Sequence, residues 1–363
     1  MIAVGIAAVK AFAVLMLVLN MSAVLLWVER KGSALIQDRI GANRANVFGV
    51  MPLNLGLLNT LVADPIKLLT KEDMVPAGAD KLLHFLAPFL AVFPVLVTFA
   101  AIPFGDELVI GGQAINLQVA ALDIGILYVL AMSSLAIYGV VLGGWASNSR
   151  WALLGGIRGA AQMISYEIAM GLALNGAVMA FGTLDMQAIA RAQGHHFFGV
   201  IPAWGVIYQP LAFLIFLIAG IAETKRVPFD LPEGESELVS GYFTEYSCMK
   251  QAAVMLSDFA ESVVVAGLAA TLFFGAWQVP FLFRDGFHFP GGVIVALPHL
   301  AVVVLQIVSF TLKVFALCVF QILVRWTLPR YRYDQVMDLG WKYLLPLALA
   351  NMLVTGIVIV SIG

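Results

Sequence analysis

The segment 223–251 combines clustered acids with apolar residues in a pattern that favours proton exchange. Its six carboxylic acids are Glu223, Asp230, Glu233, Glu235, Glu237 and Glu245. Prolines, leucines and aromatic residues interleave with them, so the carboxylates are expected to lie against apolar surface. Crowded, partly desolvated carboxylates have raised and mutually dependent pKa values, and they exchange protons near neutral pH. The alternative is an ordinary acidic loop in water.

Three more acids and two lysines, Lys10 and Lys313, fall inside apolar runs. Glu167 lies nine residues beyond Arg158, which places it roughly 13 Å along a helix, near the middle of a bilayer core about 30 Å thick. Acids at this depth are functional candidates, the alternative being a silent pair with a neighbouring helix. Asp258 and Glu261 share a helical face, and they either extend an acidic path or mark a hydrated helix end. Lys313 is a weaker candidate because a lysine can reach the interface.

A polar stripe follows the first apolar run. Thr60, Asp64, Lys67 and Lys71 recur at helical spacing, and five leucines between positions 57 and 69 occupy the opposite face. The pair Asp64-Pro65 predicts a helix start, with the aspartate as cap and the proline in the first position. The stripe either lines a site or faces water while the leucines lie on the membrane.

Several other kinds of chemistry lack the residues that they need. The two cysteines, Cys248 and Cys318, are too few for a four-cysteine cluster and suggest no disulfide framework. The five histidines show no metal-binding spacing, so we expect no metal site. No nucleotide-binding fingerprint is present, and a net charge of −2 gives no basic field for nucleic acid. Any redox cofactor is therefore expected on another chain.

The elements that must position these acids are apolar helices. The chain of 363 residues is 61% apolar and 12% charged, with a mean hydropathy of +0.96. Soluble domains carry roughly 25% charged residues, and a helix needs about 20 apolar residues to cross a bilayer. We predict an all-α polytopic membrane protein, one transmembrane domain over residues 1–363, with about eight spans and additional amphipathic helices. The predicted spans are Ile2–Val28, Leu82–Pro103, Ile124–Trp145, Gly159–Phe181, Trp204–Ala222, Ala252–Trp277, Val293–Val324 and Lys342–Ile362.

Lysine and arginine are distributed unevenly between the predicted loops. Sixteen of the 20 lie in or beside the odd-numbered loops, whereas the even-numbered loops hold Arg191 and Arg284. The positive-inside rule places the odd-numbered loops in the cytoplasm, including the segments 29–81 and 223–251, and both termini on the opposite side. The even-numbered loops have the composition of spacers that contain glycine and proline.

Five stretches of the chain resemble the H subunit of the proton-translocating NADH:quinone oxidoreductase, respiratory complex I. They are ERKGSALIQDRIGANR at 29–44, ADPIKLLTKED at 63–73, GWASNSRWALLGGIRGAAQMISYEI at 144–168, AETKRVPFDLPEGESELVSGYFTEYS at 222–247 and RWTLPRYRYDQVMDLGWK at 325–342. They occur in the family's order and imply similarity over the full length. The stretch around PFDLPEGESE is highly specific.

The resemblance implies a fold and a role. Members of this family have eight spans with periplasmic termini, form the membrane end of a quinone chamber, and carry no flavin or iron–sulphur cluster. The substrate is a quinone, either ubiquinone or menaquinone. The implied partners are hydrophilic quinone-module subunits at the cytoplasmic face, small membrane subunits that lead to the antiporter-like subunits, and membrane lipid. The implied location is the bacterial plasma (inner) membrane.

Site residues are implied by the matched motifs. Those implied to line or frame the quinone chamber are Arg30, Gln37, Arg39, Asp64, Lys67, Lys71, Glu72 and Arg226. Those implied for the proton route are Glu167, Glu223, Asp230, Glu233, Glu235, Glu237, Asp258 and Glu261. Those implied to hold the last cytoplasmic loop against partner subunits are Arg330, Arg332 and Asp334.

Three positions depart from the family's pattern. Ala42 replaces a proline, Lys225 replaces an asparagine after AET, and Asp258-Phe259 replaces a Glu-Tyr pair. Because Glu261 follows one turn later, the sequence leaves open which of the two acids takes the family's role. The changes are compatible with a divergent branch or with a related quinone-reducing complex.

Two other classes of function remain as alternatives. A secondary transporter would place its substrate between discontinuous helices at the midplane, but no internal repeat is apparent in the chain. A passive anchor for a hydrogenase-like arm would need none of the intramembrane acids, so neutralising Glu167 would leave activity unchanged.

Overall fold

The computed structural model describes residues 2–41, 57, 59–110, 112–197, 201–290 and 293–362. Ala42 and Leu58, which the sequence patterns single out, lie outside these residues. The helices, in chain order, are α1 (Ile2–Ile36), α2 (Asp64–Thr70), α3 (Lys81–Thr98), α4 (Gly125–Ala146), α5 (Arg150–Phe181), α6 (Met186–Ala192), α7 (Gly205–Tyr208), α8 (Pro210–Glu223), α9 (Glu235–Leu238), α10 (Cys248–Phe273), α11 (His299–Thr327), α12 (Tyr333–Asp338) and α13 (Leu345–Ile362).

Seven helical segments in the described part of the chain are long and apolar enough to cross a membrane. They contain α1, α3, α4, α5, α10, α11 and the continuous run from α12 through the π-helical turn Leu339–Leu344 into α13. The predicted all-α polytopic fold is therefore confirmed. In an 18-residue apolar stretch of α10, 78% is buried inside the bundle, against 17% in the corresponding stretches of α1 and the C-terminal helix. The acids on α10 consequently lie at the centre of the bundle.

The fifth predicted span, Trp204–Ala222, forms a shorter element than the pattern indicated. One helical turn, α7, is followed by a break at Gln209, and α8 then runs for 14 residues to Glu223. The break falls before Pro210, whose ring disfavours helical conformation in the preceding residue. At about 1.5 Å per residue, α8 is roughly 21 Å long, which is shorter than the hydrocarbon core of a bilayer.

Six of the seven strands in the described part of the chain lie in the predicted even-numbered loops, which meet at one end of the bundle, here named the hairpin end. The seventh, at 294–296, occupies the start of the predicted span Val293–Val324, whose helix begins only at His299. The strands pair in antiparallel fashion. β1 (Glu107–Ile110) pairs with β2 (Gln113–Asn116), and β3 (His196–Phe197) pairs with β4 (Ile201–Pro202). A three-stranded sheet has β6 (Gly286–His288) in the centre, between β5 (Leu282–Phe283) and β7 (Ile294–Ala296). Asp106, beside β1, pairs with Arg191 at 2.8 Å and with Arg284 at 2.9 Å. One carboxylate thus joins all three loops.

The opposite end, here named the charged end, collects segments from the predicted odd-numbered loops. Arg158 pairs with Glu237 at 2.6 Å, and Lys250 pairs with Asp73 at 2.8 Å. The backbone N–H of Tyr331 donates to the carbonyl of Pro228 at 3.1 Å. The segments 59–81, 223–251 and 325–342 therefore lie together, as expected for segments that are predicted on one side of the membrane.

The helix predicted at Asp64 begins at that residue, but the aspartate does not cap it. The π-helical turn Asn59–Ala63 runs directly into α2, with Pro65 in the first turn of α2 and no side-chain cap hydrogen bond. The carboxylate of Asp64 instead pairs with Arg30 at 2.7 Å. Because the backbone before Asp64 is already helical, Asp64 does not occupy the capping position, and its side chain pairs with Arg30 on α1 instead.

Candidate functional site

A buried lysine holds two buried acids together inside the bundle. The Lys225 Nζ lies 2.8 Å from Asp258 Oδ1 and 3.1 Å from Glu261 Oε2. The three residues are 3%, 6% and 4% exposed, respectively. Burial by itself lowers the pKa of Lys225, but Asp258 and Glu261 outweigh that effect and the net shift is upward. The ammonium therefore stays charged in the interior.

The spacing of Asp258 and Glu261 explains why one lysine reaches both. Residues three apart on a helix are neighbours on its surface, so both carboxylates of α10 point to the same side. The predicted shared face is confirmed by their common contact with Lys225. Their burial excludes the interpretation of this segment as a hydrated helix end.

Two adjacent serines on α4 bind the other two intramembrane acids. The hydroxyl of Ser133 donates to Glu223 Oε1 at 2.6 Å, and the hydroxyl of Ser134 donates to Glu167 Oε1. Glu223 is 2% exposed, and Glu167 is half-buried near the middle of the 32-residue α5. Because Ser133 lies well inside α4, the end of α8 reaches the interior of the bundle rather than its surface.

The segment after α8 runs through the interior of the bundle, where the buried side-chain amide of Gln162 binds its backbone. The Nε2 of Gln162 on α5 donates to the carbonyls of Ala222 at 2.6 Å and Phe229 at 2.7 Å. Phe229 and Leu231 are buried in the core. Amide hydrogen bonds of this kind satisfy the backbone groups that would otherwise be unpaired inside apolar surroundings.

A second group of charged side chains lies at the charged end, next to Lys225 and its two acids. Glu29 accepts from Arg226 at 3.1 Å and pairs with Arg325 at 2.7 Å. The Arg226 guanidinium also lies 3.8 Å from the centre of the Phe259 ring. Asp230, 4% exposed, pairs with Arg330. Three bases from two segments, 223–251 and 325–342, thus bind two buried acids.

The predicted acids of the segment 223–251 divide into interior and surface groups. Glu223 and Asp230 are buried, Glu233 and Glu245 are half-buried, and Glu237 is exposed beside Arg158. Glu235 belongs to α9, and its side chain lies outside the described residues. The interpretation of the whole segment as one solvated loop is therefore wrong for its first half.

Glu233 is expected to hold a proton at neutral pH. Burial, followed by the charges of Asp230 and Asp258, raises the pKa of Glu233 to about 8. The carboxyl is consequently neutral below that pH and ionised above it. We expect the infrared band of protonated carboxylic acids to weaken with a midpoint near pH 8, and part of this band to be absent after Glu233→Gln.

The matched control for this titration is Glu237→Gln, because Glu237 lies in the same segment with an exposed side chain. That variant is expected to keep the band. A band that survives Glu233→Gln unchanged would show that another group carries the proton.

The residues implied for the quinone chamber form a separate, more exposed set at the end of α1 and on α2. Arg30 pairs with Asp64 across the two helices, and the Arg39 Nε donates to Gln37 at 2.8 Å. The remaining side chains, exposed at the charged end, are those of Lys67, Lys71 and Glu72. Arg226 lies apart from them, with Glu29.

Two adjacent residues of α1 contact different groups of charges, one buried and one exposed. Glu29 faces the interior bases, whereas Arg30 faces Asp64 on α2. The end of α1 therefore separates an exposed polar surface from the buried charges.

The three residues that were expected to contact partner subunits make ion pairs within this chain. Arg332 pairs with Asp334 on the surface, and Arg330 pairs with Asp230.

The sequence patterns missed six residues of this arrangement. They are Glu29, Ser133, Ser134, Gln162, Lys225 and Arg325. The two serines interrupt an apolar run in α4, which is a visible signal for polar contacts inside a membrane. Lys225 stood out only as a departure from the family's pattern.

Lys313, the weaker candidate, binds backbone carbonyl groups, which indicates a structural role. Its Nζ donates to the backbone carbonyls of Phe274, Ala276 and Gln278, at 2.6 to 2.9 Å. These carbonyls follow the C-terminal end of α10, where a positive charge is favourable. Among the described residues no group of three or more His, Cys, Asp or Glu side chains could hold a metal ion.

Long apolar helices around an internal series of acids and bases define a multi-pass membrane protein with an ionisable interior. The chain belongs to the NADH dehydrogenase family, which matches residues 9–356. It is 49% identical to the NADH-quinone oxidoreductase H subunit 1 of Geobacter metallireducens, over 93% of this chain and 92% of that protein.

Two further relatives support the same assignment. The chain is 49% identical to the NADH-quinone oxidoreductase H subunit 2 of Geobacter sulfurreducens, over 95% of this chain and 94% of that protein. It is 42% identical to the NADH-quinone oxidoreductase H subunit 2 of Rhizobium meliloti, over 98% of both chains. The resemblance to this subunit seen in the motifs is confirmed.

Proposed function

We propose that this chain is the membrane subunit of an NADH-quinone oxidoreductase and couples quinone reduction to proton translocation. The observation that carries the proposal is a series of buried and half-buried ionisable groups between the charged end and the middle of the bundle. It begins at Glu29 and Asp230, continues through Lys225 with Asp258 and Glu261, and reaches Glu223 and Glu167.

The exposed polar set at the charged end is the proposed quinone side. Quinone reduction takes up two electrons and two protons, and negative charge develops before the protons arrive. Positive side chains such as Arg30, Lys67 and Lys71 stabilise that charge where it develops. Their exposure on this chain leaves them available to a chamber completed by partner subunits. Gln37, Arg39, Asp64 and Glu72 frame the same surface.

The electron chemistry belongs to the partners in this proposal. An iron–sulphur cluster on a neighbouring subunit supplies the electrons, and the quinone, ubiquinone or menaquinone, is the substrate. This chain supplies geometry, charge and proton handling. Arg226 belongs to the interior by its contact with Glu29, and it links the quinone side to the acids.

The proton side begins in the segment 223–251. Glu233 exchanges a proton near neutral pH, and Asp230 and Glu237 supply further acids at the charged end. Glu235 is assigned to the same route by the matched motif. Ser133 and Ser134 bring Glu223 and Glu167 to neighbouring positions on α4. A hydroxyl both donates and accepts hydrogen bonds, so each serine can support either protonation state of its acid.

The proposed orientation rests on the charge distribution, and the proposed partners rest on the resemblance to the family. The segments 29–81 and 223–251 face the cytoplasm and the termini face the periplasm of a bacterial plasma membrane. Hydrophilic quinone-module subunits dock on the charged end. Small membrane subunits that lead to the antiporter-like subunits receive the proton signal within the membrane, and Arg332 and Asp334 face partners.

Replacing Glu223 by glutamine tests the proposal in the intact complex. Inside-out membrane vesicles receive NADH and a short-chain quinone, and proton uptake is followed with a pH-sensitive dye. We expect the protons pumped per quinone reduced to fall about tenfold or more, because a glutamine cannot release a proton.

The matched control is Asp338→Asn, which removes an exposed carboxylate that pairs with Lys342. It is expected to pump as the unmodified complex does. Full pumping by Glu223→Gln would refute the proposed coupling role. Unchanged activity after Glu167→Gln as well would favour the passive anchor, and transport by the isolated chain would favour the transporter.

A further inference from the structure

Lys225 is a buried base that pairs with acids of the proposed proton route. Its ammonium forms ion pairs with Asp258 and Glu261 of α10. The segment 223–251 contributes two further groups near it, the carboxyl of Glu223 and the buried hydroxyl of Tyr242. Burial, followed by the charge of Asp258, raises the pKa of Tyr242, so that hydroxyl stays neutral.

The local backbone directs Lys225 into the bundle. The residue follows the C-terminal end of α8 and adopts a left-handed conformation with φ of 56°. Its backbone N–H still donates to the carbonyl of Ala222 at 3.3 Å. This turn carries the chain away from the helix axis, and the C-terminal end of a helix favours a positive charge nearby.

The charges around Lys225 do not cancel. One ammonium faces two carboxylates, which leaves one negative charge in excess when both acids are ionised. Without the ammonium, two unpaired carboxylates would share one buried site, and at least one of them would bind a proton. The ammonium of Lys225 therefore favours the ionised forms of Asp258 and Glu261.

Unpartnered oxygens mark where a proton can bind. Within the described part of the chain, Glu223 Oε2 and Glu261 Oε1 are buried and have no hydrogen-bond partner. The other oxygen of Glu261 faces Lys225, whereas the other oxygen of Glu223 faces the neutral hydroxyl of Ser133. A carboxylate beside an ammonium favours the ionised form, and one beside a neutral donor in apolar surroundings favours the protonated form more.

We propose that Lys225 is a positioning residue of the proton route, which holds Asp258 and Glu261 ionised so that the exchangeable proton resides on Glu223. The inference rests on the proposed function and adds to it an internal counter-ion that the motifs do not assign. In a proton exchange the Glu223 carboxylate gains or loses one proton, while the total charge of Lys225, Asp258 and Glu261 stays constant.

The experiment compares Lys225→Gln, Glu261→Gln and the double variant in the intact complex, in vesicles supplied with NADH and a short-chain quinone. The readout is the number of protons pumped per quinone reduced, normalised to assembled complex. Each single variant changes the net charge of the cluster by one, and we expect each to pump about tenfold less. The double variant restores the net charge, and we expect it to pump within about threefold of the unmodified complex.

Lys313→Gln is the matched control, since Lys313 is another lysine with a largely buried head that binds backbone carbonyls instead of acids. It is expected to lower the amount of assembled complex without changing the protons pumped per quinone. A merely structural role for Lys225 would give the same pattern and would make the double variant worse than either single variant.

Specific outcomes separate this inference from the proposed function. Full pumping by Lys225→Gln, or no recovery in the double variant, overturns the role of Lys225 even if Glu223→Gln abolishes pumping. Full pumping by Glu223→Gln overturns the proposed function itself. If Lys225→Gln fails to assemble, Glu261→Gln and the double variant decide, because the double variant must then pump better than Glu261→Gln alone.

Discussion

Replacing Glu29 by glutamine is expected to lower the free energy of unfolding by about 3 kcal/mol, because it leaves two bases without their acid. Glu29 is 9% exposed and pairs with Arg226 at 3.1 Å and Arg325 at 2.7 Å. Glutamine has nearly the same size, so the loss comes from charge. The expected value lies at the low end for a buried pair because the Arg325 side chain is 29% exposed.

The measurement is a denaturant series on the complex in mild detergent, followed by release of this chain. A double variant, Glu29→Gln with Arg325→Gln, returns the group to its original net charge and is expected to recover part of the loss. Asp334→Asn is the control, because its pair with Arg332 is exposed on both sides and such pairs contribute about 1 kcal/mol or less. Equal stability of Glu29→Gln and the control would contradict a structural role for this group.

Gly241→Ala is expected to weaken the packing of the segment 223–251 against the bundle. Gly241 has a φ of +58°, and a Cβ there would lie 1.6 Å from the carbonyl oxygen of Pro232. The left-handed conformation costs an alanine about 1 kcal/mol, and overlap with backbone adds roughly 1–3 kcal/mol. The backbone must therefore shift next to the buried Tyr242.

The expected result is a severalfold loss of chain assembled into the complex, measured on native gels. Gly182→Ala separates the two causes, because Gly182 has a similar φ of +68° at the end of α5 but nothing within 4 Å of an added Cβ. That control is expected to lose only the conformational part, about 1 kcal/mol. Equal assembly of the two variants would mean that the contact with Pro232 does not constrain the segment.

The charge distribution and the helical spacing predicted much of the arrangement around the acids. Three-residue spacing placed Asp258 and Glu261 on one face, and both do contact Lys225. Counting residues placed Glu167 near the middle of a span, and it lies near the middle of α5. The uneven placement of lysine and arginine separated two sets of loops, and these sets lie at opposite ends of the bundle.

The length of the fifth span was less predictable. Apolar composition from Trp204 to Ala222 satisfies a span by hydropathy, but Pro210 divides it and α8 ends inside the bundle. Hydropathy records whether a residue tolerates apolar surroundings, and it does not record where along the bundle a helix stops. The depth of Glu223 follows from its contact with Ser133 on α4.

Composition, local spacing and short motifs were enough to identify a polytopic helical membrane protein, its family and its candidate acids. These are properties of neighbouring residues, and they can be recognised without knowing how the helices pack. The folded bundle was needed to see that Lys225 serves both α10 acids, that Ser133 and Ser134 bind Glu223 and Glu167, and that Glu29 joins Arg226 to Arg325. Each of these contacts joins residues distant in the chain, and the packing of helices, rather than any local pattern, brings such residues within hydrogen-bonding distance.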